Sequence, residues 1–275
     1  MKLGLDSYSY HLAFGAHADF EPENKMSLFQ FIERTAELGL DGFQIDPMHL
    51  EHRDDGYLGE ILSLKKEKNL FLEYGTIGIE AENLANELDI CLKLESPVLR
   101  TFIGFDRYDK SVRIKQEIER SIDQLTRIKA RAEAVDVRIA IENHGDVTSD
   151  ELVAIIQQVD SPNIGICLDL GNSMMTLEEQ LRAATKMAPY AFTTHFKDYA
   201  VGMTNYGFKV FGVALGDGNI DLHAALRILK EKANLDRIIL EIPVEAGADE
   251  KRTLEKEDDC VRRSVEFARH VLKIR

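Results

Sequence analysis

The sequence is poor in cysteine. Its three cysteines, Cys91, Cys167 and Cys260, lie far apart in the chain and form no CxxC motif. An odd number of distant thiols argues against a disulfide framework, and the lack of cysteine pairs argues against a structural zinc site. We therefore expect reduced thiols in a cytoplasmic protein.

Long apolar runs and an excess of basic residues are also lacking. No run approaches the roughly 18 apolar residues of a membrane span. The first residues, MKLGLDSYSYH, lack the long apolar region of a signal peptide. The chain has 34 basic against 48 acidic residues, a formal charge of −14, whereas nucleic-acid binding needs concentrated Lys and Arg. The composition predicts a globular protein with neither a membrane nor a nucleic-acid partner.

Short apolar segments recur along the 275 residues, and most are followed by stretches with apolar residues three and four positions apart. This alternation predicts eight strands separated by helices, the last helix covering about residues 255–272. The predicted strands are residues 3–8, 41–46, 70–75, 97–103, 138–143, 164–170, 191–197 and 238–243.

Eight such repeats predict an α/β fold of the (β/α)8 TIM-barrel type, as a single domain over residues 1–275. The alternative is an open doubly wound sheet, but no GxGxxG motif follows the first strand. In a barrel of this type, the active site lies where the carboxyl ends of the strands meet.

Four consecutive predicted strands end in residues able to bind a metal ion. Side chains alternate along a strand, so Glu142 shares a face with Ala140, and Asp169 shares one with Cys167. If Ile139 and Ile141 face the helices, the residues that alternate with them face the barrel axis. The residues so selected are Glu142, Asp169, His195 and Glu241.

Three carboxylates at one buried point would repel each other, and a divalent cation removes this penalty. Three oxygens and one imidazole form a fairly hard ligand set. We expect one divalent ion per chain, Mn²⁺ first, with Mg²⁺, Co²⁺ or Zn²⁺ as alternatives.

Four motifs carry a resemblance to a known superfamily: IENHG, LDLGN, THFKD and LEIP, at predicted strands five to eight, together with GDGNID at residues 216–221. In this order they resemble the xylose-isomerase-like barrels, which include sugar-phosphate isomerases and epimerases, ketose 3-epimerases, inosose dehydratases and endonuclease IV. The resemblance implies the same four metal ligands. It also implies a His three positions after the metal-binding Asp in ketose 3-epimerases, where this chain has Asn172.

Further polar residues are predicted near the same strand ends. Arg100 is expected either to bind a carboxylate or phosphate of the substrate or to pair with Glu73. Lys197 is expected to hold an anionic or enolate oxygen. His144 is a candidate for binding substrate or for orienting a metal ligand.

Other candidates lie nearby. His11 and Asn172 are further candidates for substrate binding, and Asp198 is expected to orient Lys197 or to cap the next loop. Segment 196–218 is long for a connection and is expected to form a lid or a wall of the substrate pocket.

These residues predict a metal-dependent isomerase or epimerase that acts on a small keto-sugar or sugar acid through a metal-bound enediolate, with Glu142, Glu241 and Lys197 as catalytic groups. The alternative is a metal-dependent decarboxylase or dehydratase of an oxidised sugar acid, such as a 3-oxo sugar acid. A DNA-repair enzyme like endonuclease IV fits poorly, because among the eight histidines only His144 and His195 lie at predicted strand ends. A barrel that only binds a ligand would have no reason to keep all four metal ligands. We also expect a homo-oligomer, a dimer or a tetramer.

Overall fold

The computed structural model describes residues 1–15 and 20–274. Strands alternate with helices along most of this part of the chain. The strands are β1 (Lys2–Asp6), β2 (Gly42–Ile45), β3 (Phe71–Gly75), β4 (Val98–Thr101), β5 (Arg138–Glu142), β6 (Ile164–Asp169), β7 (Ala191–His195), β8 (Asp198–Thr204), β9 (Gly207–Val213) and β10 (Arg237–Leu240).

Several of the helices between the strands begin at side-chain caps. Both α1 and α5 start with a capping box, formed by Ser27 with Gln30 and by Thr148 with Glu151. The helices are α1 (Leu28–Glu37), α2 (Asp55–Glu67), α3 (Ala81–Leu94), α4 (Ile114–Val135), α5 (Ser149–Val159), α6 (Gln180–Met187), α7 (Leu222–Lys232) and α8 (Glu250–Glu266). None of the helices in the described residues is long and apolar enough to cross a membrane.

In the described residues, eight strands form one sheet in the order β10-β1-β2-β3-β4-β5-β6-β7. Phe196, directly after β7, makes a parallel bridge to Leu240 of β10 and so links the two ends of this order. The fold is a (β/α)8 TIM barrel, which confirms the predicted fold class.

The chain divides into two compact units. Unit 1 comprises residues 1–71, 195–226 and 236–275. Its strand β1 pairs with both β10 and β2. Gly4 and Gly42 leave room for the ring of Phe71, because a Cβ atom on Gly42 would lie 2.3 Å from that ring.

Unit 2 comprises residues 72–194 and 227–235. In this unit β4 pairs with β3 and β5, and β5 pairs with β6. Val98, Ala140 and Cys167 pack together in a buried cluster. These are the residues two positions before Arg100, Glu142 and Asp169, so the latter three lie on the same face of the sheet as the cluster.

All eight predicted barrel strands exist, but each is shorter than predicted. The first strand ends at Asp6 rather than at residue 8, because Ser7–Tyr10 form a 3-10 helix that Asp6 caps. The last helix begins earlier, at Glu250, and continues into a π-helical turn over Phe267–Val271.

Segment 196–218 contains regular structure that was not predicted. Strands β8 and β9 form an antiparallel hairpin with a two-residue turn between Thr204 and Gly207. The hairpin is held close to the residues after β10, since a Cβ atom on Gly212 would overlap the carbonyl oxygen of Pro243.

Candidate active site

The four predicted metal ligands lie at the carboxyl ends of their strands. Glu142, Asp169 and His195 are the last residues of β5, β6 and β7, and Glu241 directly follows β10. All four are buried, and one ligand atom from each lies within 4.8 Å of the others. The structure therefore brings together the residues that the alternation of side chains predicts.

In unit 2, both oxygens of Glu142 accept hydrogen bonds from groups that do not change charge near neutral pH. Arg100 Nε donates to Oε2 at 2.5 Å, and Arg100 Nη2 contacts the same oxygen. Asn172 Nδ2 donates to Oε1 at 2.9 Å. Hydrogen bonds to the charged form favour an ionised carboxylate. Arg100 thus forms an ion pair with Glu142. Glu73 accepts a hydrogen bond from Thr193.

Asp169, also in unit 2, is held by backbone groups. Its Oδ1 accepts the N–H groups of Gly171 and Asn172, both at 2.8 Å. Its own backbone is bound by the side chain of Asn143 through two hydrogen bonds of 2.9 Å. These contacts fix both the position of Asp169 and the rotation of its carboxylate.

In unit 1, the imidazole of His195 lies between polar partners on two sides. Its Nε2 is 2.7 Å from Gln44 Oε1 and 3.5 Å from Asp6 Oδ2, and its Nδ1 is 3.1 Å from Glu241 Oε2. With a Gln oxygen as acceptor, Nε2 carries the proton. Nδ1 faces Glu241, as a proton donor when the imidazole is charged and with its lone pair when the imidazole is neutral.

Lys197 and Glu241 form a buried ion pair in unit 1, with side-chain exposures of 3% and 7%. Burial alone would raise the pKa of Glu241, but the positive charges of Lys197 and His195 outweigh it and hold that pKa well below its usual value. Nearby, burial and the charge of Glu241 raise the pKa of Tyr8. The Lys197 ammonium also lies 5.7 Å from the ring centre of Tyr199.

The predicted substrate-binding histidines have different surroundings. His11 is buried in unit 1, with Nδ1 2.9 Å from the carbonyl oxygen of Tyr8 and its ring stacked on the ring of Tyr8. Both residues line a cavity of about 450 Å³, together with Leu12, Phe20, Lys209, Val244, Glu245 and Ala246. In unit 2, His144 is exposed and stacks on Phe102 at 4.2 Å.

Asp198 caps the loop that follows the hairpin. Its carboxylate accepts hydrogen bonds from the backbone N–H groups of Gly216, Gly218 and Ile220, at 2.9 to 3.2 Å. A Cβ atom on Gly218 would lie 2.1 Å from Asp198 Oδ1, so glycine is required there. Of the two roles expected for Asp198, the structure shows the loop cap.

The sequence reasoning missed three residues beside the predicted ligands: Asn143, Gln44 and Asp6. Gln44 and Asp6 lie at the alternating positions of β2 and β1 that face the barrel axis. The alternation that selected Glu142 would therefore also have selected them. Asn143 lies one residue beyond its strand, and no periodicity reveals its cross-strand contact.

Comparisons with known proteins agree with this architecture. A family model for the xylose isomerase-like TIM barrel matches residues 32–269. A 3-oxo-isoapionate decarboxylase of Pectobacterium atrosepticum is 27% identical over 272 residues, which cover 97% of this chain and 94% of the relative.

Two solved structures resemble the whole chain. A D-psicose 3-epimerase crystallised in the presence of D-fructose has a TM-score of 0.75 and 20% identity, covering 99% of both chains. The IolI protein with a bound zinc atom has a TM-score of 0.72 and 17% identity, covering 97% of this chain and 98% of the other. At these identities the two structures support the fold alone.

Proposed function

The chain belongs to the xylose isomerase-like TIM barrel family, and we propose that it is a divalent-metal-dependent decarboxylase of a 3-oxo sugar acid. The proposal has two parts, the cation and the reaction. The cation is supported by the cluster of four ligand atoms, and the reaction by the different partners of Glu142 and Glu241.

The donor set suits a divalent cation. Glu142, Asp169 and Glu241 offer carboxylate oxygens, and His195 offers a nitrogen, a combination that favours Mn²⁺, Mg²⁺ or Co²⁺ and also accepts Zn²⁺. The hydrogen bond from His195 Nε2 to Gln44 matches the usual outer partner of a metal-binding imidazole and assigns Nδ1 to the cation. Asp169 Oδ1 accepts hydrogen bonds from backbone N–H groups. We therefore assign the other carboxylate oxygen, Oδ2, to the cation.

When bound, the cation supplies a Lewis acid that polarises a carbonyl oxygen of the substrate. In the decarboxylation, the bond between the α carbon and the carboxylate breaks, its electron pair forms an enolate, and CO₂ leaves. Lys197 Nζ donates a hydrogen bond to the enolate oxygen, and the pair of Lys197 and Glu241 returns one proton to carbon. Solvent then replaces that proton.

The partners of the two glutamates favour this reaction over epimerisation. Epimerisation needs two groups that move protons, one on each side of the substrate. Glu142 is bound by Arg100 and Asn172, neither of which transfers protons near neutral pH, whereas Glu241 contacts Lys197, whose ammonium has protons to donate. Decarboxylation needs only one proton donor. The Pectobacterium relative, matched over almost its whole length, supports the same choice.

A sugar 3-epimerase is the second candidate, because glutamates from two different strands adjoin the same cluster of ligand atoms. One experiment separates the two functions. Purified protein, stripped of metal and reloaded with Mn²⁺, is incubated in D₂O with 3-oxo-isoapionate and separately with D-psicose and D-fructose.

We expect one equivalent of CO₂ from the 3-oxo acid, one deuterium on the product carbon seen by NMR, and no turnover after EDTA treatment. Interconversion of the two ketohexoses with deuterium uptake and without CO₂ would favour the epimerase. Full activity in the metal-free protein would contradict the proposed role of the cation.

A further inference from the structure

We propose that Asn143 is a positioning residue that holds Glu142 and Asp169 at the spacing needed to bind one cation. This inference rests on the proposed function. It concerns unit 2 alone, where Asn143 directly follows Glu142 and its side chain contacts the backbone of Asp169. Asn143 is 3% exposed.

The contact is a two-point clamp on the backbone of one ligand. Asn143 Nδ2 donates to the carbonyl oxygen of Asp169, and Asn143 Oδ1 accepts the N–H of the same residue, both at 2.9 Å. A side-chain amide is the one neutral group that offers this donor and acceptor pair in a planar geometry like that of a peptide.

The clamp replaces backbone pairing where the strands stop. In the register of β5 and β6, Ile139 lies opposite Ile164 and Glu142 opposite Cys167, and β5 ends at Glu142. Asp169 therefore lies two residues beyond the last paired position of β6. Asn143 thus extends the contact between the two strands to the ligand itself.

The position of the clamp makes it relevant to the cation. Glu142 directly precedes Asn143, so the amide ties the backbone next to one carboxylate to the backbone that carries the other. Cation affinity depends on how well such outer contacts orient the ligands, and their loss typically costs about 10- to 100-fold.

Asn163 provides a matched control on the same pair of strands. It too is a buried asparagine, and its Nδ2 donates to the carbonyl oxygen of Val137, next to the amino end of β5. Asn163→Ala removes a comparable amide at the opposite end of the strands. It should lower stability while leaving the metal ligands in place.

The test measures Mn²⁺ affinity by calorimetry and the visible absorption spectrum of bound Co²⁺, which reports ligand geometry independently of activity. For Asn143→Ala we expect a dissociation constant about 10- to 100-fold higher than wild type and a changed Co²⁺ spectrum, whereas Asn163→Ala should match wild type in both. Asn143→Ser serves under the same criteria if the Ala variant does not fold.

The outcomes separate this inference from the proposed function. Wild-type affinity and an unchanged Co²⁺ spectrum in the Asn143 variants would overturn the positioning role while the cation site stands. Equal weakening by Asn163→Ala would also overturn it, because the effect would then be one of general stability. A wild-type protein that binds neither ion would overturn the proposed function and this inference together.

Discussion

Removing the positive charge beside Glu142 tests whether Arg100 and a cation neutralise the same carboxylate. The Arg100 and Glu142 side chains are 5% and 1% exposed. Breaking a buried ion pair by removing one partner costs about 3–5 kcal/mol, because the remaining charge stays in a poorly solvated place. For a domain of this size, we expect Arg100→Met to lower the Tm of the metal-free protein by about 6 °C or more.

A bound cation should restore part of this loss. At a concentration 100 times its Kd, a ligand that binds only the folded state stabilises it by about 2.7 kcal/mol. In the variant, the cation would also supply the positive charge that Glu142 has lost. We therefore expect saturating Mn²⁺ to raise the Tm of Arg100→Met by more than that of wild type, measured by scanning calorimetry with EDTA or with Mn²⁺.

Arg107→Met is the matched control in the same unit. Arg107 pairs with Glu151, but these side chains are 17% and 27% exposed, and Glu151 is not among the proposed ligands. Ion pairs nearer the solvent contribute about 0–1 kcal/mol, so this variant should lose little stability and should gain no more from Mn²⁺ than wild type. If the two variants behave alike in EDTA and in Mn²⁺, the reasoning about Arg100 is wrong.

Three further predictions follow from the site and its surroundings. Glu142→Gln and Glu241→Gln should each abolish CO₂ release, because each removes a proposed ligand; full turnover in either would exclude that residue. Lys197→Met should lower kcat by orders of magnitude with unchanged Mn²⁺ content by elemental analysis, whereas wild-type kinetics would return Lys197 to a structural role. Burial raises the pKa of Glu257 to about 8, so its contribution to stability is full below about pH 4 and is lost as the pH rises towards 8. Urea unfolding should therefore show Glu257→Gln gaining stability relative to wild type between pH 5 and pH 8, and a constant difference would contradict the shifted pKa.

The barrel and its four candidate ligands could be predicted from local patterns. Each barrel strand is a short apolar run, and each candidate ligand ends a strand or directly follows one. Alternation of side chains along the strand then selects the same residues. The apolar run and the ligand residue at its end are local features, because they lie within a few residues of each other. Whether the four residues bind a metal ion stays a prediction, since the geometry is compatible with it and does not test it.

The contacts that tune the site could not be predicted in the same way. The pairs of Arg100 with Glu142 and of Gln44 with His195 join residues 42 and 151 positions apart, and neither partner shows a pattern that identifies the other. The hairpin is different. A two-residue turn between Thr204 and Gly207 joins two short strands that are neighbours in the chain. Such a local pattern could have been predicted.

In the proposed reaction, the surroundings of the two glutamates give them different roles. The hydrogen-bonded partners of Glu142 are a guanidinium and an amide, which hold a negative charge in place without exchanging protons with it. Glu241 adjoins the ammonium of Lys197, which can donate a proton and regain one from solvent. A carboxylate that only binds needs fixed donors, and one that passes protons needs partners that titrate. If the chemistry followed the opposite division, Glu142 would have to release protons into a pair of groups with no capacity to take them.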